Sequence, residues 1–322
     1  MNILKNLRHF TGKHVVVLLT RKCNLSCGWC NVVNQDYPDA SVDEWKKEIR
    51  LFDKFNVANI TVMGGEPTEY QGLFELLSYM KENTRATVSM VTNGIKIRDD
   101  GKYREKLADI GLDLLVVSMN SKKELGKLPL YARNFASVIV NTIVSKENIR
   151  EIPGMVTEVS AYSNCFFDPI VLQTDENAFS KKANEALLPD IEDVKEVSRK
   201  LVEMKFLGYL IVSTFSYLNK MPDYVSGWRW KCRKNAFKKF FALNNDTRIM
   251  VCQGTKPLDY KLSQLTDPDN MKQFREQVKE SAGNCSGCLY NCTYNSSVNP
   301  ISKLIGFMPM TPRIIKQALT KR

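Results

Sequence analysis

Histidine is almost missing from this chain: His9 and His14 are the only two in 322 residues, and both precede the motifs described below. Chemistry that turns on an imidazole base or nucleophile is therefore not expected. Phosphate-cradling loops are missing too, with no Walker loop and no GxGxxG after a strand. No apolar run reaches membrane-spanning length, and the amino terminus does not read as a leader, Phe10 being followed at once by Thr11, Gly12 and Lys13. The expected compartment is the cytoplasm. No RNA-recognition signature is visible, and aromatic residues are not interleaved with a basic stripe, so nucleic acid is not an expected partner.

Cysteine, by contrast, is plentiful at nine, which in a reducing compartment argues for metal ligation over disulfides. Three stand close together, Cys23, Cys27 and Cys30, in the stretch Thr20-Arg21-Lys22-Cys23-Asn24-Leu25-Ser26-Cys27-Gly28-Trp29-Cys30. A [4Fe-4S] cube has four irons, so a loop offering three thiolates leaves one iron open to another ligand. The spacing alone also admits a zinc site. The apolar, β-branched run from His14 to Thr20 predicts a strand, which puts the triad where strand meets loop.

A second motif, Val62-Met63-Gly64-Gly65-Glu66-Pro67, closes a short strand from Ile60 to Met63. Glycines there let the backbone approach a ligand closely, and Pro67 fixes the exit from the turn. Further strands are predicted from Thr87 to Thr92, Leu114 to Ser118, Val138 to Val144 and Val156 to Tyr162, with helical stretches between. Thr92, Asn93, Ser118 and Asn141 lie in or beside these strands, where small polar groups either satisfy their own backbone or bind a ribose or carboxylate. Such alternation predicts parallel strands joined by right-handed crossovers, with ligands at their carboxyl ends. Six units rather than eight predict an open, partial (β/α)6 TIM-like barrel. Ser41-Val42-Asp43-Glu44 is a capping box ahead of the first amphipathic helix, and residues 191–204 read as another.

With these motifs in this order the sequence resembles the radical S-adenosylmethionine (radical SAM) superfamily. The resemblance implies that Cys23, Cys27 and Cys30 hold a [4Fe-4S] cluster whose open iron is chelated by S-adenosylmethionine, with Trp29 the family's aromatic residue before the third cysteine. It further implies that Gly64, Gly65, Glu66 and Pro67 bind the amino group of that cofactor, and that Thr92, Asn93, Ser118 and Asn141 contact its ribose and carboxylate. The implied activity is reductive cleavage to a 5′-deoxyadenosyl radical, which takes hydrogen from an unactivated carbon of a small-molecule (sugar-like) or peptide substrate. An electron donor such as flavodoxin or ferredoxin is the implied partner.

Beyond about residue 220 the alternation stops and cysteines return: Cys232, Cys252, Cys285, Cys288 and Cys292. Between the first two, apolar runs flank Asn244-Asn245-Asp246, a hairpin signal. Cysteine, hairpin, cysteine, then C-x2-C resembles the twitch domain, the shortened SPASM domain, which implies a small carboxyl-terminal domain over 221–322 beside a core over 1–220. One auxiliary [4Fe-4S] cluster is expected on Cys232, Cys252, Cys285 and Cys288, with Cys292 the alternative to one of them and structural zinc the other reading of the set. An auxiliary cluster would accept an electron and leave an oxidised or crosslinked product. Alternatively an unligated thiol, Cys292 or Cys252, returns hydrogen to the substrate and the enzyme is an epimerase. A non-catalytic metal-binding scaffold is the reading from another class. Cys165, beside Phe166 and Phe167, reads as a small buried hydrophobe.

The net charge of +11, dense at 229–239 and 316–322, points to an anionic partner or to a solvated face. The mixed apolar and basic tail from Ile301 to Arg322 is expected to dock on the core, with peripheral membrane contact the alternative.

Overall fold

The computed structural model describes residues 12–32, 37–175, 177, 180–232, 236–298, 305 and 308–310. Six parallel strands form the core: β1 (Lys13–Leu18), β2 (Val57–Met63), β3 (Thr87–Thr92), β4 (Leu114–Ser118), β5 (Val138–Val144) and β6 (Cys165–Val171). Two more join the same sheet, β7 (Phe240–Leu243) and β8 (Ile249–Met250), giving the order β6-β5-β4-β3-β2-β1-β7-β8. β7 runs parallel to β1, and β8 antiparallel to β7. The expected hairpin therefore extends the barrel sheet on its β1 side.

Helices cover the outer face. The predicted capping box is present at α1 (Val42–Ile49): the Ser41 amide donates to Glu44 Oε2 at 2.9 Å, and the Glu44 amide to Ser41 Oγ at 3.3 Å. Trp45 and Ile49 of this helix are fully buried in the same core as Val15, Val17, Ile60 and Val62 of the sheet. Further crossovers use α2 (Leu73–Asn83), α3 (Ile95–Asp99), α4 (Gly101–Asp109), α5 (Lys122–Leu125) and α6 (Leu128–Asn134).

The sixth strand departs from expectation. Residues 152–159, part of which read as a strand, form helix α7 (Ile152–Val159), and the strand follows it at β6. Ile152, Met155, Val156 and Val159 recur at helical spacing and are all buried on one face, with Pro153 in the first turn where its missing N–H costs nothing. Asp168 and Pro169 broke the apolar run that would have announced β6. Proline is tolerated because β6 ends the sheet order.

The carboxyl-terminal helices are α8 (Ile191–Phe206), α9 (Phe215–Val225), α10 (Pro268–Gly283) and α11 (Asn291–Ser297). The run from Phe206 to Leu218 packs on the barrel through Leu210 and Ile211, whereas Phe206 and Leu207 stay exposed. Most of the tail, and residues 233–235 of the basic stretch, lie outside the described residues; Met310 is buried and Ile305 and Met308 are exposed. Among the described residues no helix is long and apolar enough to cross a membrane.

Candidate active site

Alternation along each strand builds the site. Val15 and Val17, Ile60 and Val62, Val88 and Met90, Leu115 and Val117, Val138 and Val140 face the helices in the core. Their neighbours face the opposite way and are often polar, because side chains change face at every residue. His14, Thr61, Ser89, Ser118, Asn141 and Asp168 thus line one cavity of about 610 Å³. Cys165 falls on the helix side, is fully buried, and has its thiol pushed up to about 12 by burial, as a structural hydrophobe should.

Cys23, Cys27, Cys30 and Trp29 line the same cavity, from the loop that leaves β1. Two strand-end amides hold that loop down: Gly65 N–H donates to Thr20 O and Glu66 N–H to Lys22 O, both at 2.8 Å. The glycines are required by this contact. A Cβ on Gly64 would lie 2.3 Å from Thr20 O, and one on Gly65 2.1 Å from Lys22 O. The group that approaches the glycines is thus the backbone of the cysteine loop itself.

Glu66, almost fully buried, accepts from Thr92 Oγ1 at 2.7 Å, the Asn93 amide at 2.8 Å and the Thr68 amide at 3.2 Å. Asn93 Nδ2 donates in turn to Asn24 Oδ1 of the cysteine loop at 2.7 Å. Thr92 and Asn93 therefore fix the loop and the turn as one unit while lining the cavity. Ser118 and Asn141 also line it, and Asn141 Oδ1 is a buried acceptor with no partner. Pro67 is buried but lies outside the lining.

The opposite wall comes from the carboxyl-terminal segment and from β6, and supplies Gln253, Tyr290, Asn291, Cys292, Asn295 and Asp168. Of the two thiols considered as hydrogen donors, Cys292 lines the cavity and Cys252 does not. Cys292 Sγ accepts from Gln253 Nε2 at 2.9 Å, and burial pushes its thiol up to about 11. His14, which precedes the motifs and was not expected to take part in the chemistry, lines the cavity between Thr61 Oγ1 at 2.8 Å and Ser296 Oγ at 3.1 Å. Asp168 went unnoticed because its strand was misplaced, and a carboxylate inside Phe166-Phe167-Asp168-Pro169-Ile170-Val171 was the signal that could have found it.

The sequence pattern of the radical SAM superfamily matches residues 17–143, which span β1 to β5 and all the motifs described up to Asn141. That part of the chain is a radical SAM superfamily region. It is similar to a probable GTP 3′,8-cyclase of Methanococcus maripaludis, 36% identical over 106 residues, which cover 32% of this chain and 35% of that protein. A PqqA peptide cyclase of Bradyrhizobium diazoefficiens is 21% identical over 265 residues, 76% of this chain and 67% of that one. The fold matches the solved structure of native anSMEcpe with bound AdoMet and Cp18Cys peptide, at a TM-score of 0.56 and 16% identity over 96% of this chain and 99% of the other. Matches to the first relatives span about a third of their length.

The residues at this cavity fit a [4Fe-4S] cluster and S-adenosylmethionine. Three soft sulfur donors share one loop at the cavity, burial raises all three thiols, and the Leu25 amide donates to Cys23 Sγ at 3.4 Å. A metal would displace the proton of each thiol to solvent and bind the thiolate. Among the described residues no three His, Cys, Asp or Glu side chains gather tightly enough for a single metal ion. The carboxyl-terminal thiols form a second group: Cys252 interacts with Cys288, Cys232 and Cys285, and burial raises it well above its usual value. Burial also carries Cys232 up to about 11 and Cys288 to about 12.

Proposed function

We propose that this enzyme removes a hydrogen atom from an unactivated C–H of a small-molecule or peptide substrate held in the cavity between the cysteine loop and the carboxyl-terminal wall. The observation that carries this reading is a single cavity lined on one side by Cys23, Cys27, Cys30 and the strand-end residues, and on the other by Gln253, Asn291 and Cys292. With both groups bound, the cluster and S-adenosylmethionine supply a 5′-deoxyadenosyl radical. Cys23, Cys27 and Cys30 would hold the cluster; Ser118 and Asn141 would meet polar groups of S-adenosylmethionine; Glu66, Thr92 and Asn93 keep loop and turn in register. Apolar lining side chains, Val16, Met63, Val91, Val116, Ile139 and Ile170 among them, keep water from a reactive carbon centre.

Cys232, Cys252, Cys285 and Cys288 would hold an auxiliary [4Fe-4S] cluster, whose chemistry there is to take up an electron. An oxidised product follows in this reading. A second reading, epimerisation, is favoured by the place of Cys292 on the cavity wall, from which its thiol reaches the substrate chamber. The domain division near residue 220 and the cytoplasmic setting belong to the same proposal.

Protein reconstituted anaerobically with iron and sulfide, then given S-adenosylmethionine and dithionite, is expected to release 5′-deoxyadenosine. A preparation that holds only zinc and releases none overturns the enzyme reading in favour of a scaffold. Once a substrate is in hand, turnover in heavy water separates the two outcomes: deuterium in the product that disappears in Cys292→Ala supports epimerisation, and an undeuterated oxidised product supports the first reading.

A further inference from the structure

The carboxyl-terminal wall of the cavity is rich in acceptors and short of donors. Asn291 uses both Nδ2 hydrogens, on Asp168 Oδ1 and on Ser213 Oγ (3.1 Å), and Ser213 uses its hydroxyl hydrogen on Asp168 Oδ1 (2.6 Å). Asn291 Oδ1 in turn accepts from Asn295, whose own Oδ1 accepts from Thr214 at 2.7 Å. Among the described residues the hydrogen bonds to Asp168 thus reach one carboxylate oxygen, Oδ1, of a side chain that lines the cavity.

Two other residues of the lining repeat the pattern. Gln253, 3% exposed, donates to Cys292 Sγ, while its Oε1 is buried without a partner. Asn184, 1% exposed, donates to Trp29 O at 3.1 Å and Gln173 O at 2.8 Å, and its Oδ1 is likewise buried and unpartnered. All three side chains line the cavity. Lys205, whose charge acts on Asp168, lies outside the lining with its Nζ on Ile211 O at 2.5 Å. The lining cations Arg98 and Lys127 come from segments after β3 and β4.

A buried acceptor without a donor is unfavourable, so orphaned oxygens on residues that line a cavity point to a ligand that donates once those side chains turn toward it. We infer that Asp168 Oδ2, Gln253 Oε1 and Asn184 Oδ1 form the subsite for an ammonium group of the substrate. A protonated amine brings three N–H donors and the positive charge that a carboxylate lacks; a hydroxyl brings one donor and no charge, and a carboxylate or phosphate is repelled. The net positive charge of the whole chain suggested an anionic substrate, and this wall selects the opposite. The inference rests on the reading of the cavity as the substrate chamber.

The test titrates n-butylammonium chloride and 1-butanol, at fixed ionic strength, into reconstituted holoenzyme with S-adenosylmethionine bound. The amine is expected to bind at least tenfold more tightly than the alcohol, and Asp168→Asn to bring it down to the alcohol's level. Gln253→Leu, which keeps the carboxylate, is expected to weaken the amine at least threefold and carries the test should Asp168→Asn lose its iron. Equal binding of amine and alcohol, or an amine advantage that survives both substitutions, overturns the subsite. Release of 5′-deoxyadenosine by the same wild-type preparation is scored separately, so that its absence overturns the enzyme reading while an amine preference still supports the subsite.

Discussion

Asp168 is held ionised against its surroundings. Burial raises its carboxyl from the ordinary 3.8 to about 6, with hydrogen bonds from Ser213 and Asn291 and the charge of Lys205 pulling the other way. The titratable groups that act on it are Lys205 from α8, itself pushed down to about 8 by burial, Tyr217 from α9 and Cys292 from α11. A folded-state value above the unfolded one means that the folded protein binds the proton more tightly, so stability is lost as pH rises from about 4 through 6. Two units correspond to about 3 kcal/mol. Asp168→Asn is therefore expected to be more stable than wild type by about 2–3 kcal/mol above pH 7, with the gap closing below pH 4, when urea midpoints are followed across that range. A variant no more stable at pH 7.5 would show that the carboxylate is compensated within the protein. A group kept at a cost in stability fits a role toward a ligand.

At the scale of elements, the turn after β7 is tied to the loop that carries the first three cysteines. Arg21, buried between Cys23 and β1, donates to Asn244 Oδ1 at 2.5 Å and to Asn245 Oδ1 at 3.4 Å, while Asn245 Nδ2 donates to Tyr37 O at 2.7 Å and to Asp39 Oδ1 at 2.9 Å. Asn245→Ala removes a fully buried side chain that supplies an acceptor and two N–H donors, for an expected loss of about 2–4 kcal/mol. Faster release of iron to a chelator from Cys23, Cys27 and Cys30 should accompany that loss. Unchanged stability and unchanged release would mean that the loop is held by Gly65 and Glu66 alone.

Local pattern made some of these elements legible and hid others. β3, β4 and β5 run over the residues their β-branched stretches announced, and the capping box at Ser41 starts its helix as read. β6 was hidden because Asp168 and Pro169 serve the cavity and the sheet's end at the expense of the apolar run. The hairpin was visible from its Asn-Asn-Asp turn, but its pairing with β1 was not, since no local signal encodes a partner more than two hundred residues away. The same limit applied to the site. Cys23, Gly65 and Glu66 sit in contiguous motifs, whereas Gln253, Asn291 and Asp168 meet only through topology.

On the scale of the whole molecule, the sheet places β1 between β2 and β7, with His14 to Val17 paired to Phe240 to Leu243. The first strand of the radical SAM core thus borrows one of its two neighbours from the last hundred residues. Expression of residues 1–220 alone is expected to give material that self-associates in size-exclusion chromatography, whereas the full chain stays discrete. A monomeric, well-folded fragment would show that β1 needs no partner on that side.

The pairing also bears on how the protein comes into being. Because β7 is made more than two hundred residues after β1, that edge of β1 waits through most of synthesis with its free amides and carbonyls uncovered, a template for any passing strand. Closure of the sheet and completion of the cysteine loop then happen together, so iron delivered to a nascent chain would find that loop without the Arg21 clasp.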